Sequence, residues 1–448
     1  MKHLFVQKRK VNLSPPSLLA LGFLFCIFCG SVLLKSPWAL AAHQHPISWV
    51  DAFFTTVSAV TITGLSVVNI GETFNLFGQV VILILLQIGG IGFMTFAILA
   101  VLSFSSKVAL KQQLMAQDSL GQTSLSKVGF VAKGVFFYTL FFEFVGFIVL
   151  SLIWSQYYPI QDAMYYALFY SVSAFNNAGF SLFSDSLVST VYTPFLFLTI
   201  SLLYMIGGLG FLVLIDIKRH KSWKKLSTNS KVILFGTLMI NIIAFLLMWI
   251  LEANNPKTLG QMAWTDQAIH AWFQATVPRS AGFNSVHIGE MTQASSFLTM
   301  LLMFIGGGSL STAGGIKIGT FVILCLSTIA FLRRQDEVYI FKHAISQNTI
   351  LKALAVTLIT CILICIGIFV ILIFEPKIRF LDLVFEVVSA ACTVGLSRGV
   401  TGQLSDVSLM ILMLLMFAGR LGPLTLAYLL ATPRKSRVKH AAADIQIG

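Results

Sequence analysis

The chain has 448 residues, of which 57% are hydrophobic and 10% charged; 30 Lys and Arg against 17 Asp and Glu give a net charge of +13. A soluble domain carries about 25% charged residues, so this composition excludes a soluble enzyme or scaffold and points to a membrane protein. The six cysteines set no disulfide framework: Cys26 and Cys29, like Cys361 and Cys365, sit inside apolar stretches, where cysteine acts as a small hydrophobe.

In chain order, apolar stretches lie near residues 16–36, 78–104, 130–154, 193–216, 231–252, 296–332, 350–374 and 406–431. Each is long enough to cross a hydrocarbon layer of about 30 Å. The first follows Lys8, Arg9 and Lys10 and ends at Ala39-Leu40-Ala41, the outline of a secretion signal; its apolar core is too long for one, and it reads as a retained transmembrane helix. Twenty-two of the 30 basic residues fall at the termini or near 105–133, 217–231 and 333–352. With spans and turns alternating, these regions share one face, which the excess of Lys and Arg marks as cytosolic, both termini included. The positive charge is therefore first a topology signal. A cytosolic protein partner is its second use, and no nucleic acid is expected.

Between the spans a polar outline recurs four times: TVSAVTITGLS from 56, SVSAFNNAGFS from 171, QATVPRSAGFN from 274 and VVSAACTVGLS from 387. Its glycines, Gly64, Gly179, Gly282 and Gly395, are 115, 103 and 113 residues apart. Each outline belongs to a short amphipathic stretch opened by an aspartate, Asp51, Asp162, Asp266 or Asp382, which suits the N-cap of a helix. The chain thus reads as an all-α integral membrane protein: four repeats of span, re-entrant pore helix and span, pseudo-fourfold around a central pore. The repeats occupy 1–104, 105–216, 217–332 and 333–448.

A helix that stops inside the membrane strands carbonyl groups in hydrocarbon unless the backbone beyond it lines a cavity. Rings of carbonyls replace the hydration shell of alkali cations, and glycine permits the backbone angles that aim them. The candidate filter is therefore Thr61-Ile62-Thr63-Gly64, Asn176-Asn177-Ala178-Gly179, Arg279-Ser280-Ala281-Gly282 and Cys392-Thr393-Val394-Gly395. The first and last share the Thr-Val-Gly type of potassium filter, and the middle two keep only the glycine, so the walls are unequal.

Each second span carries a small-residue cluster: Gly89-Gly90-Ile91-Gly92, Gly207-Gly208-Leu209-Gly210, Gly306-Gly307-Gly308-Ser309 and Gly419-Arg420-Leu421-Gly422. Close helix packing and pore lining both call for such residues. Two departures matter. The third cluster runs on through Ser311, Thr312, Gly314 and Gly315, interrupting the span over 306–316, and reads as a movable gate with Ser309. Arg420 stands where the other clusters have glycine, and reads as an electrostatic barrier beneath the filter. The gate is expected to be separate from the filter, so that removing 309–314 raises flux and leaves ion selectivity unchanged. Glu143, Glu386 and His270 are expected to satisfy local polar partners, and His43 with His45 offers a metal two ligands at most. No acid–base pair or nucleophile recurs at matching depth, so no enzyme is expected.

The four turns, the SAFNNAGFS and PRSAGFNS stretches, the GGIGFMTF cluster and the interruption at 306–316 together resemble the ion-conducting subunits of Ktr-type bacterial potassium uptake systems, in the Trk, Ktr and plant HKT superfamily. The resemblance implies potassium uptake across the bacterial cytoplasmic membrane, sodium dependence in several members, and a homodimer seated on a cytosolic ring of nucleotide-binding regulatory subunits. It implies no cofactor in this chain, since nucleotide belongs to the regulator; no Gly-x-Gly-x-x-Gly unit occurs here. Within that family serine at the first filter glycine accompanies sodium permeation, and this chain has Gly64. The competing transport readings are an alternating-access secondary cation transporter, disfavoured because the four repeats share one orientation, and a sodium-permeable relative.

Overall fold

The computed structural model describes residues 15–42, 46–92, 125–190 and 193–422. The basic termini, His43 to His45, most of the basic stretch near 105–133, and the ends of the predicted spans 78–104 and 406–431 lie outside these residues.

Each quarter of the chain supplies an outer helix, a pore helix and an inner helix. They are Pro15–Lys35, Trp49–Val60 and Leu76–Ile91; Leu125–Trp154, Ile160–Phe175 and Pro194–Leu209; Thr228–Glu252, Trp264–Thr276 and Gln293–Phe304; and Gln347–Phe374, Phe380–Ala391 and Asp406–Leu421. The pore helices have 12, 16, 13 and 12 residues. At about 1.5 Å per residue all fall short of a hydrocarbon core of about 30 Å, so none can cross it alone. The outer helices turn large apolar side chains outward, among them Phe25, Phe144, Ile250 and Phe369. Lipid is the solvent in which so continuous an apolar surface is stable. Inward, each pore helix buries a phenylalanine completely: Phe54, Phe169, Phe273 and Phe385.

The inner helix of each quarter packs on the pore helix of the next, and the last, Asp406–Leu421, packs on the first pore helix, Trp49–Val60. The arrangement therefore closes on itself. Within a quarter the inner helix approaches its own pore helix at the first glycine of its cluster. A Cβ on Gly89, Gly207 or Gly419 would lie 2.3, 2.0 or 2.1 Å from the carbonyl oxygens of Val60, Phe175 or Ala391. Those carbonyls belong to the last residues of the pore helices, so the small-residue clusters let the inner helices press against the helix ends that hold the turns.

Several expectations need correction. Three described helices, Lys133–Trp154, Thr228–Glu252 and Gln347–Phe374, are long and apolar enough to cross a bilayer uninterrupted. The inner helices are not continuous spans: three of them stop at Gly92, Gly210 and Gly422, with φ of 79°, 98° and 84° and ψ of 131°, 139° and 138°. These left-handed angles are open to glycine and break the helix. At Gly210 the next helix, Phe211–His220, turns by 91°. In the third quarter, helix is absent from 305 to 317 and resumes at Ile318–Leu332. Beside the helices there is one small antiparallel hairpin, Tyr339–Ile340 with His343–Ala344, and the fold of the described residues is all-α as expected.

The aspartates are not N-caps. The caps are Ser48, Pro159, Ala263 and Arg379, and Asp51, Asp162, Asp266 and Asp382 stand three residues further in, at the third helical position. A carboxylate there still faces the positive end of the helix dipole. Asp51 completes a reciprocal cap, accepting from the Ser48 amide at 3.1 Å while the Ser48 hydroxyl accepts from the Asp51 amide at 3.0 Å. Asp382 instead takes a 2.5 Å bond from Arg398 Nε.

Gly207→Ala should destabilise the protein by roughly 1–3 kcal/mol, because its Cβ meets a backbone carbonyl that cannot move aside. Gly319→Ala, where nothing lies within 4 Å of the added carbon, should be neutral or stabilising by up to about 1 kcal/mol. Thermal unfolding of the two purified variants in detergent checks the contrast; equal behaviour would contradict the packing.

Candidate functional site

The four turns share a backbone. The second position is left-handed in a non-glycine residue in every one: Ile62 at φ 54°, Asn177 at 57°, Ser280 at 74° and Thr393 at 49°. The fourth is a glycine at 91°, 70°, 74° and 93° for Gly64, Gly179, Gly282 and Gly395. Four non-glycine residues held in the same uncommon region at matching positions mark a conformation imposed by the surrounding structure. Alternating hands also turn successive carbonyls toward one side, whereas an extended strand points them to opposite faces.

The pore helices take the amide protons. In the first turn the amides of Thr61, Ile62 and Thr63 donate to the carbonyls of Val57, Ala59 and Ser58 at 2.8, 3.1 and 2.8 Å, and the Gly64 amide donates to Ser58 Oγ at 3.1 Å. The fourth turn repeats this with Val388, Ala390, Ser389 and Ser389 Oγ at 2.9, 3.1, 2.9 and 3.1 Å. The second keeps the first three bonds, to Val172, Ala174 and Ser173. In the third, Pro278 offers no amide and shifts the pattern, so the Ala281 amide reaches Val277 instead. Among the described residues, the carbonyls of these turns accept almost nothing in return; Thr393 O, bonded by the Ser280 hydroxyl at 2.7 Å, is the exception.

The glycines close the ring. A Cβ on Gly64 would lie 2.4 Å from Ala178 O, on Gly179 2.6 Å from Gly282 Cα, on Gly282 2.7 Å from Val394 O, and on Gly395 2.2 Å from Thr63 O. Each turn thus touches the next and the fourth touches the first, so the four sequence-predicted segments meet at one place.

Behind the ring the first positions diverge. Thr61 Oγ1 lies 2.7 Å from Val57 O and 2.8 Å from Thr63 Oγ1. Asn176 donates to Glu143 Oε1 at 2.8 Å and to Gln87 Oε1 at 3.0 Å, and Gln87 donates to Glu143 Oε2 at 3.0 Å. Arg279 runs outward from the ring to Asn241 Oδ1 at 2.7 Å, Thr237 O at 3.5 Å and Gly306 O at 3.4 Å. It is buried, and no carboxylate pairs with it among the described residues. Of Glu143, Glu386 and His270, each expected to satisfy a local polar partner, Glu143 finds Gln87 and Asn176, and Glu386 finds Ser397, Thr401 and the Arg398 amide. His270 packs its ring 5.0 Å from that of Phe197. Gln87, Asn241, Thr237 and the serines Ser58 and Ser389 were missed. The serines recur six residues before the filter glycine, and Asn241 is a lone amide in an apolar span.

The interruption in the third inner helix lies against the ring. The amides of Gly308 and Thr312 donate to Gly208 O and Gly207 O at 2.8 and 3.4 Å, and the Thr312 hydroxyl donates to Asn177 Oδ1 at 2.7 Å. The Phe211 amide, just past the Gly210 bend, donates to Leu310 O at 3.1 Å. Gly314 is seated under the fourth turn, where a Cβ would fall 1.9 Å from Thr393 Oγ1. Arg420 donates to Thr312 O at 2.7 Å and to Gly89 O at 2.5 Å, and Lys317 donates to Ala313 O at 2.6 Å. Arg420 is therefore a clamp between the loop and the first inner helix as well as a fixed cation. Ser311 Oγ is buried and, among the described residues, unbonded. The expected separation of loop and filter does not hold: Gly314 N–H donates to Ser280 Oγ at 2.9 Å, and Ser280 belongs to the third turn.

Asn241→Leu should lower stability by about 2 kcal/mol, because it removes a neutral acceptor from a buried guanidinium and leaves that charge under-bonded. Thermal unfolding in detergent reads it; an unchanged midpoint would mean that Arg279 is held otherwise.

Residues 29–439 match the TrkH family, described as cation transport protein. The chain is 42% identical over 438 residues to the Ktr system potassium uptake protein B of Bacillus subtilis, with 98% of each covered. It is 37% identical to the protein of that name from Vibrio alginolyticus, over 99% of this chain and 97% of the relative. The solved structure of the potassium transporter TrkH from Vibrio parahaemolyticus shares the fold, with a TM-score of 0.75 over 95% of this chain and 87% of that one at 19% identity. Family match, full-length relatives and the closed ring of helix-held turns agree: the chain belongs to the TrkH family of cation transport proteins.

Proposed function

We propose that this chain takes up potassium through a channel-like pore in the cytoplasmic membrane. The carbonyls of residues 61–64, 176–179, 279–282 and 392–395 form its selectivity filter. The observation that carries this is the accounting of backbone groups: most of the turn amides bond to their pore helices, while among the described residues nearly all the turn carbonyls in a closed ring take no donor. Carbonyls so arranged at membrane depth suit a dehydrated alkali cation, and the pore helices aim the negative ends of their dipoles the same way. Relatives named as potassium uptake proteins support potassium as the ion.

The loop over 306–316 serves as the gate and Arg420 as its barrier. Two copies of the chain form a homodimer, and a cytosolic nucleotide-binding ring docks on the basic face to move the gate. The termini are cytosolic, sodium is the candidate co-ion, and nucleotide binds only to the regulator.

Uptake of radiolabelled rubidium into proteoliposomes tests the pore. The proposal requires flux down a potassium gradient without chemical turnover; flux that demands a stoichiometric counter-substrate would contradict it. Gly64→Ser puts a side chain at φ 91° and 2.4 Å from Ala178 O, so it should reduce potassium-over-sodium discrimination by about tenfold, a change of about 1.4 kcal/mol. Competition of sodium against rubidium uptake reads the ratio, and unchanged discrimination would sink the filter assignment.

Arg420→Gln removes a fixed charge and weakens the clamp on Thr312 O. Flux should rise at equal abundance in the membrane. A variant that is present in the membrane and conducts no more than the parent would remove Arg420 from the gate.

A further inference from the structure

Two bonds meet on one hydroxyl at the junction of filter and loop. Ser280 Oγ accepts from the Gly314 amide at 2.9 Å and donates to Thr393 O at 2.7 Å. A serine has one proton to give and lone pairs to accept, so the direction is settled: loop amide to serine, serine to the carbonyl of the neighbouring turn. Thr393 O is the one turn carbonyl with a protein donor among the described residues. Gly314 sits so close to that turn that a Cβ would lie 1.9 Å from Thr393 Oγ1 and 2.3 Å from Cys392 O. Thr393 Oγ1 is itself buried and unbonded. Ser280 is held at φ 74°, a conformation uncommon for serine, which keeps its hydroxyl between the two partners.

We propose that Ser280 couples the gate loop to the ion site, so that potassium occupancy of the filter and release of the loop favour one another. A hydroxyl that accepts a hydrogen bond is polarised and donates more strongly. With Gly314 in place, Ser280 therefore engages Thr393 O fully and leaves that carbonyl a poorer cation ligand. When the loop withdraws its amide, the donation weakens and the carbonyl becomes available to the ion. Linkage makes the effect reciprocal: an ion bound at Thr393 O competes for the oxygen that Ser280 holds, and so loosens the hold on Gly314. Ser280 is a positioning residue, acting through the carbonyl of Thr393. Asn177 occupies the aligned position in the second turn and bonds the same loop through the Thr312 hydroxyl, but it does so without reaching a turn carbonyl in the described structure.

The inference rests on the potassium-filter reading, and the test separates the two. Potassium is titrated calorimetrically into four purified full-length proteins: parent, the 309–314 deletion, Ser280→Gly, and the two combined. Glycine accepts φ 74° without strain, so Ser280→Gly removes the hydroxyl and leaves the turn conformation open. The deletion should tighten potassium binding by about fivefold or more in the parent background, the lower range of allosteric coupling, and by less than about twofold when Ser280 is glycine. Equal shifts in both backgrounds overturn the coupling while leaving the filter intact. Failure of the parent to bind potassium overturns the filter reading and this inference with it. A second measurement needs no variant: amide hydrogen exchange over 309–314 in the parent should quicken in potassium relative to choline. Exchange that ignores potassium, when binding is present, overturns the proposal.

Discussion

The structure depends on how four short turns divide their backbone groups. Amide protons go down into the pore helices, through Val57, Ala59 and Ser58 in the first turn and their counterparts Val388, Ala390 and Ser389 in the fourth, leaving carbonyl oxygens for the ring. Buried backbone groups that go unpaired each cost a few kcal/mol. A ring of undonated carbonyls is therefore stable only where something cationic or aqueous meets it, and on this ground the turns are proposed as the functional backbone of the protein. The rest follows from holding them in place: half-length helices to end at the right depth, glycines to bring neighbouring turns together, and inner helices whose own glycines press on Val60, Phe175 and Ala391.

The ring's four walls are built differently. The first and fourth turns bond almost identically, whereas the second leans on a buried carboxylate, Glu143, and the third on a buried guanidinium, Arg279. The two side chains stand behind adjacent turns, on the outer side of the ring. The third turn is also the one tied to the interrupted helix, by Arg279 at Gly306 O and by Ser280 at Gly314 N–H. In the proposed pore, the quarter that departs furthest from the common pattern is the one that joins filter to gate. Pro278 supplies the local reason, since it removes an amide from the pattern the other turns use.

Much of this was legible in the sequence because repetition multiplies weak signals. One glycine after an apolar stretch means little; four at matching places, each after a short helix pattern, specified the turns and their residues. The same alignment carried the serines at 58 and 389 and the second-position residues, but backbone angles such as φ 54° at Ile62 have no signature in residue type. The breaks at Gly92, Gly210 and Gly422 were hidden by hydropathy, which stays high through a glycine whether the helix continues or turns. The aspartates misled for a simpler reason. A carboxylate is favourable anywhere in the first turn of a helix, so its presence fixes the end of the helix but not the cap, and Ser48 took that position. Contacts between distant segments, such as Arg420 with Thr312 O or Ser280 with Thr393 O, depend on how the quarters close on each other and left no trace in local pattern.

The most direct test of the account is where ions sit. Crystals or frozen grids of the full-length protein prepared in thallium or rubidium, heavy analogues of potassium, should show ion density on the axis enclosed by the carbonyls of residues 61–64, 176–179, 279–282 and 392–395, with none in an otherwise matched sodium sample. Ion density lying away from this ring, or an axis equally empty in thallium and in sodium, would contradict the claim that these four turns are the selective site.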